Sequence, residues 1–334
     1  MATKHEEVGL TNEDVLNIYE TMLTARRVDE CMWLLNRAGK IPFVISCQGQ
    51  EAAQVGAAYA LDNTKDYVAP YYRDLGVVIH FGMTPKDLML SAFAKAEDPN
   101  SGGRQMPGHF GQKKNRILTG SSPVTTQLPH AVGVALAGKM KKKDFITFNT
   151  LGEGSSNQGD FHEGLNFAGV HKLPVITMVE NNRYAISVPF ERQVASKNVS
   201  DRAASYGMPG VTIDGNDPIE VYKHVKEAAD RARNGEGPSL IETVSERMTA
   251  HSSDDDHRQY RSADELAAQK EKDPILLFGA YLKENGIMDD DLEKEINDRI
   301  MVLVNEATDY AENAPYALAE SAMEHVYAEE GGNE

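Results

Sequence analysis

Cysteine is nearly missing: Cys31 and Cys47 are the only two in 334 residues, and no Cys-x-x-Cys occurs. That rules out a disulfide framework and favours a reducing compartment. No apolar run approaches the roughly 20 residues that span a bilayer. The opening Met1-Ala2-Thr3-Lys4-His5-Glu6-Glu7 is too acidic and polar for a secretory or transit leader, so a cytoplasmic protein is expected. Positive charge is also short, with 34 Lys and Arg against 51 Asp and Glu, a formal net charge of −17. Such a surface repels a phosphate backbone, which argues against a nucleic-acid binder. The one basic cluster, Lys139, Lys141, Lys142 and Lys143, reads as a solvated helix end. Internal repeats, low-complexity linkers and a Gly-x-x-x-x-Gly-Lys-Ser/Thr run are all absent, and the last absence disfavours a non-catalytic Mg²⁺-nucleotide module.

What is present suits an enzyme: 41% hydrophobic and 25% charged residues imply one large α/β core or at most two domains. Thr11 with Asp14 caps a helix whose apolar positions Val15, Ile18, Tyr19, Met22, Val28, Met32 and Leu35 run to a stop at Gly39. Strands are expected over 67–71, 145–150, 175–179, 211–213 and 239–244. Helices are expected from Thr84-Pro85, over 128–139, from Phe161, and from Asp217-Pro218 to near Gly235. This alternation predicts a parallel sheet with helices on both faces. After Pro274 the chain turns to acidic amphipathic helix, with Ile275, Leu276, Phe278, Leu282, Leu292, Ile296, Ile300, Leu303 and Val304 on apolar stripes. The division is a helical arm over 1–40, an α/β domain over 41–273 and a helical extension over 274–334.

The chemistry concentrates at two strand ends. Gly152-Glu153-Gly154-Ser155 follows one strand and Asn181-Asn182 follows the next, so both fall on the edge where open α/β sheets bind ligands. Either alone reads most simply as a turn. Together they offer hard oxygens, from Glu153, Asn182 and the Tyr184 carbonyl, to a Mg²⁺ ion that also holds phosphate oxygens. Tyr72-Arg73 lies beyond an earlier strand, where a planar guanidinium and a phenol can share one phosphate. Ser121 to Gln127 reads on its own as a helix cap. His251-Ser252-Ser253-Asp254-Asp255-Asp256-His257 reads as a solvated acidic loop sooner than a Zn²⁺ site, which rarely takes contiguous aspartates.

The Gly152-Glu153-Gly154 to Asn181-Asn182 pattern resembles the thiamine diphosphate signature. With Asn157-Gln158-Gly159-Asp160-Phe161-His162-Glu163 and Asn182-Arg183-Tyr184-Ala185-Ile186-Ser187 it resembles the alpha subunits of 2-oxo acid dehydrogenases, in order from about Leu10 to Ile275. The resemblance implies the thiamine diphosphate-binding fold, with Tyr72, Arg73, Ser122, Val124, Gly152, Glu153, Gly154, Ser155, Asn182, Tyr184, Ala185, Ile186 and His251 at the cofactor. Within that set it makes His251, Ser122 and Tyr72 the catalytic residues, and Glu153, Asn182 and Tyr184 the Mg²⁺ ligands. Ser121, Pro123, Thr126 and Gln127 match a K⁺ site of branched-chain members. Asp255, Tyr260 and Arg261 match a loop that docks the lipoyl partner, and Ser252 matches a serine phosphorylated in mitochondrial relatives, expected to be unmodified here.

The glutamate that activates the cofactor sits on a separate beta chain in this family, which implies two alpha with two beta subunits and a lipoyl-bearing acyltransferase partner. Glu153 in place of the more usual Asp, the segment Phe43-Val44-Ile45-Ser46-Cys47-Gln48-Gly49-Gln50-Glu51 and the His251 loop lean toward branched-chain 2-oxo acids. Pyruvate or acetoin dehydrogenase alpha subunits are the alternatives. Glu180 stands where some branched-chain relatives carry an arginine that contacts the diphosphate, which puts that contact in doubt.

Overall fold

The computed structural model describes residues 2–324 together with 326 and 327; the end of the 274–334 extension thus lies outside the described residues. After a short α1, Lys4–Glu7, the first long helix α2, Asn12–Arg37, begins where the sequence places it. The Thr11 hydroxyl accepts the Asp14 amide at 3.1 Å, and the Asp14 carboxylate accepts the Thr11 amide at 2.8 Å. Gly39, at φ 72°, turns the chain out of it. Then follow α3 (Glu51–Tyr59), β1 (Tyr67–Ala69), α4 (Leu75–His80), α5 (Pro85–Ala92), α6 (Gln127–Met140), β2 (Thr147–Gly152), α7 (Gly159–Val170) and β3 (Val175–Asn181). A hairpin of β4 (Tyr184–Ala185) and β5 (Val188–Pro189) precedes β6 (Gly210–Asp214), α8 (Pro218–Arg233) and β7 (Ser239–Val244). Helices α9 (Ala263–Lys270), α10 (Pro274–Glu284) and α11 (Asp290–Asn313) close the described chain.

The five long strands form one parallel sheet in the order β1-β2-β3-β7-β6. Its central strands alternate sides. Phe148, Ile176, Met178 and Ile241 join a core with α2, α3, α10 and α11. Leu151, Val175 and Val179 join another with Leu128 and Val132 of α6 and Phe161 and Leu165 of α7. Helices therefore cover both faces, as the apolar runs require of a parallel sheet. Among the described residues no helix is long and apolar enough to cross a membrane.

Several boundaries move. β1 ends at Ala69, two residues before the predicted end, because the Tyr71 amide donates to the Asp74 carboxylate and the Thr150 hydroxyl, side chains both, instead of to a main-chain carbonyl of β2. β2 starts at Thr147 instead of Phe145, whose ring sits against Gly138 and Tyr67, and continues to Gly152, which pairs with Glu180. The residues directly after Gly152 form a 3₁₀ turn, Glu153–Asn157, and α7 begins at Gly159, two residues before the expected Phe161.

Candidate active site

Because the pairing of β2 with β3 ends at Gly152 and Glu180, and β3 itself ends at Asn181, Glu153 and Asn182 emerge close together at the carboxyl edge of the sheet. The two loops touch. A Cβ added to Gly154 would stand 2.5 Å from the Ala185 Cβ, so only glycine allows this approach. The 3₁₀ turn is held from outside by Arg202, which donates to the Ser156 carbonyl at 2.7 Å and to the Asn157 side chain at 2.9 Å. Gln193 donates to the Glu153 carboxylate at 3.2 Å and to the Val188 carbonyl at 3.0 Å.

A cavity of about 520 Å³ opens between these loops. Every residue the sequence assigned to a cofactor lines it: Tyr72, Arg73, Ser122, Val124, Gly152, Glu153, Gly154, Ser155, Asn182, Tyr184, Ala185, Ile186 and His251. They come from five separate stretches of chain, brought to one place by the sheet. Thr125, Arg183 and Ile186, beside or in this lining, have positive φ of 79°, 71° and 56°, conformations uncommon for any residue but glycine and rarest for the β-branched Thr125 and Ile186.

The two charged side chains of the cavity are not paired with each other. Arg73 is fully buried, yet it donates to the Ser46 carbonyl at 2.6 Å and to the His251 carbonyl and Nδ1 at 3.3–3.4 Å, and among the described residues its Nε has no partner. A buried guanidinium served by neutral acceptors is suited to an anionic ligand. Burial and the neighbouring Arg73 and Arg247 push His251 down to about 4, so it is neutral at pH 7. Glu153, also buried, is raised by desolvation, and a hard cation beside it would reverse that shift.

Beneath the floor, Asp74 accepts from the Tyr71 amide and the Thr150 hydroxyl, while Glu180 accepts from Gln54 at 3.1 Å and the Tyr71 hydroxyl at 3.3 Å. Burial and the Glu180 charge hold Asp74 far above the usual carboxylate range. Glu180 thus faces Tyr71 and Gln54 under the cavity and does not line it. Arg183 leaves the cavity as well, lying 3.8 Å from Glu246 over a separate pocket.

The Ser121 and Thr126 hydroxyls lie 2.9 and 3.0 Å from the Pro123 carbonyl and also contact each other, so with one proton apiece they share these contacts, one hydroxyl accepting from the other when it does not donate. Gln127 is apart from them, its amide turned to the Thr150 carbonyl at 2.9 Å. The His251 amide donates to Asp255 at 2.8 Å. Arg247 joins the Tyr260 hydroxyl at 2.7 Å to the Ile186 carbonyl at 2.8 Å, and Arg261 braces the Arg247 carbonyl at 2.7 Å. Among the described residues no three His, Cys, Asp or Glu gather to hold a metal by themselves, so the His251 to His257 loop is not such a cluster.

Sequence reasoning missed part of the lining. Phe43, Ile45, Met106, Pro107 and Val188 form an apolar side, and His109 stands at the rim with its Nε2 2.6 Å from the Ser122 hydroxyl. Phe43 and Ile45 sit in a segment already noted as distinctive. Nothing in the spacing around His109 marks it, because its partner Ser122 is fixed by a loop crossing.

Comparison with known proteins identifies the family. The dehydrogenase E1 component family profile matches residues 19–320. The chain is 69% identical over 325 residues to the 2-oxoisovalerate dehydrogenase subunit alpha of Bacillus subtilis (strain 168), covering 97% of this chain and 98% of that protein. It is 38% identical to the 3-methyl-2-oxobutanoate dehydrogenase subunit alpha of Mycobacterium tuberculosis, over 96% of this chain and 84% of that one. It is 36% identical to the pyruvate dehydrogenase E1 component subunit alpha of Staphylococcus aureus (strain Mu50 / ATCC 700699), over 95% and 83%. The chain belongs to the dehydrogenase E1 component family.

Proposed function

We propose that this chain is the alpha subunit of a branched-chain 2-oxo acid dehydrogenase. With a beta subunit, two of each, it binds thiamine diphosphate, oxidatively decarboxylates 2-oxoisovalerate and related acids, and passes the acyl group to the lipoyl group of an acyltransferase component. The observation that carries this reading is the convergence of Arg73, Glu153, Asn182 and His251 on one cavity. The B. subtilis relative, matched over nearly its whole length, supports the branched-chain substrate, as does an apolar lining of Phe43, Ile45, Met106 and Val188. The three-part division, with the arm and the extension flanking the α/β domain, belongs to the same reading.

The residues present fit the cofactor. Arg73, buried without a carboxylate partner, and Tyr72 would hold the phosphates. The Glu153 carboxylate, the Asn182 amide oxygen and the Tyr184 carbonyl are the hard donors that Mg²⁺ takes. The main chain of Val124 would face the aminopyrimidine. K⁺ would take oxygens from Ser121, Pro123 and Thr126, with Gln127 joining only by turning its amide out. When bound, thiamine diphosphate supplies the carbanion that adds to the keto carbon and the electron sink for CO₂ loss.

The chain's own side chains bind, orient and handle protons. His251 accepts from Arg73 at Nδ1, which assigns its proton to Nε2. His109 Nδ1 donates to the Met106 carbonyl at 2.9 Å, which leaves Nε2 to accept from Ser122 and aims that hydroxyl at the rim. Ser252 is 7% exposed, in keeping with an unmodified serine.

The test is a steady-state assay of the reconstituted alpha and beta pair with pyruvate, 2-oxoisovalerate and 2-oxoisocaproate. The branched acids are expected to be preferred, and the isolated chain to be inactive. Preference for pyruvate, or turnover by the alpha chain alone, would overturn the reading.

A further inference from the structure

Helix α2 carries a carboxylate that the chemistry above leaves unused. Asp29 is completely buried; its Oδ2 accepts the Ser46 hydroxyl at 2.6 Å and the Gln48 side-chain amide at 2.7 Å, and among the described residues its Oδ1 has no partner. Among the described residues it has no ion pair. Arg26, one turn earlier on α2, gives its donors to Glu51 at 2.6 Å and to Asp273 at 2.8 and 3.0 Å. A carboxylate buried without a cation is expensive, so a task is implied.

The turn it holds leads into the cavity. The Ser46 hydroxyl also accepts the Gln48 main-chain amide at 3.1 Å. The next residue, Gly49, has φ 96° and no space for a side chain, since a Cβ would stand 2.1 Å from the Glu246 carbonyl. From this turn the Ser46 carbonyl receives Arg73 Nη1 at 2.6 Å. Gln50 Oε1, just beyond, accepts from the Tyr71 hydroxyl at 3.2 Å and the Asn182 amide at 3.3 Å.

We propose that Asp29 is a positioning residue for Arg73: through the Ser46 hydroxyl it sets the carbonyl that receives the guanidinium, and so aims Arg73 at the cofactor's phosphates. The proposal rests on Arg73 being the phosphate ligand. The groups facing Asp29 are Arg26 on its own helix, Glu51 on α3 and the Cys47 thiol in the turn, with Arg73 beyond Ser46. Burial raises its carboxyl to about 7, with Ser46 and Gln48 opposing the rise. As pH climbs through that value the two hydrogen bonds become charge-assisted and the turn is held harder. Fold stability moves the other way. A carboxyl that titrates near 7 when folded, against an ordinary 3.8, loses stability as pH rises from about 4 to about 7.

These opposite signs separate a positioning role from a structural one. Thiamine diphosphate is titrated by calorimetry, at saturating Mg²⁺, into cofactor-free assembled alpha and beta subunits carrying wild-type alpha, Asp29→Asn, Ser46→Ala or Arg73→Ala. The differences from wild type between about pH 6 and about pH 8 cancel the cofactor's own phosphate titration. Asp29→Asn is expected to bind about 10-fold more weakly at pH 8 and nearly normally at pH 6. Its kcat at saturating cofactor should stay within about twofold, and its cofactor-free unfolding temperature at pH 8 should equal or exceed wild type. Ser46→Ala should weaken binding similarly. Wild-type affinity for Asp29→Asn at every pH while Arg73→Ala loses binding would overturn the proposal. A loss that only follows a lowered unfolding temperature would overturn it equally. Normal binding by Arg73→Ala would remove the phosphate reading itself, and this proposal with it.

Discussion

Gly154→Ala turns the contact between the two strand-end loops into a measurable quantity. The new methyl would stand 2.5 Å from the Ala185 Cβ and 3.3 Å from Gln193 Oε1, whereas carbon atoms rest about 3.5–4.0 Å apart. The loops must therefore part by about 1 Å, a strain of the size that overpacking a tight site produces, about 1–3 kcal/mol. In the cofactor-free protein the loops can separate toward the open cavity, so the unfolding temperature should change little. Binding must close them again, and the same energy appears as a thiamine diphosphate affinity about 5- to 150-fold weaker at saturating Mg²⁺. Calorimetric titration and a thermal melt of the same preparation give both quantities. The control is Gly154→Ala with Ala185→Gly, which restores the space and should recover most of the affinity. Wild-type affinity in the single variant, or no recovery in the double one, would refute the close-approach argument.

Other expectations are as specific. Glu153→Ala and Asn182→Ala should each weaken Mg²⁺-dependent cofactor binding by about 10- to 100-fold; normal affinity in both would disprove the metal assignment. Because burial depresses His251 from 6.5 to about 4, the stability tied to its neutral form is complete above about pH 6.5 and lost as pH falls through about 4. His251→Gln should accordingly lose less stability than wild type on acidification over that window, as urea melts at several pH values would show. Arg26→Ala leaves the Glu51 and Asp273 carboxylates buried without their cation, and should cost about 3–5 kcal/mol in denaturant unfolding. A loss under about 1 kcal/mol would mean that water replaces the guanidinium.

Much of the fold was legible because its signals are local. The Thr11-Asp14 cap, the proline after Asp217 and the apolar run 175–179 of β3, broken only by Thr177, each act within one element. Boundaries were less legible where a side chain competes with the ladder: the Tyr71 amide is taken by Asp74 and Thr150, and no pattern within 67–71 reveals that. Helices α3 and α4 went unpredicted for a different reason. Gln50 and Glu51 open a helix that is buried on all sides, so it lacks the polar face that periodicity needs. The cavity lining was readable residue by residue from motifs, whereas His109 and Gln193 enter through loops whose positions are set only by tertiary contact. Glu180 is the instructive case. Its place in the chain, where some relatives carry an arginine on the diphosphate, put that contact in doubt, and as a residue of β3 its side chain points below the site toward Gln54 and Tyr71.

The positive φ angles at Thr125, Arg183 and Ile186 carry a practical consequence for anyone seeking a hardier version of this protein. Glycine at those three positions would relieve backbone strain, and a stability screen run without ligand could select it there. Yet each lies beside or in the cavity wall, where freedom gained in the empty protein must be surrendered on binding. Thermostability selected without cofactor would therefore drift toward a looser site, and screens on this chain should apply heat with thiamine diphosphate and Mg²⁺ present.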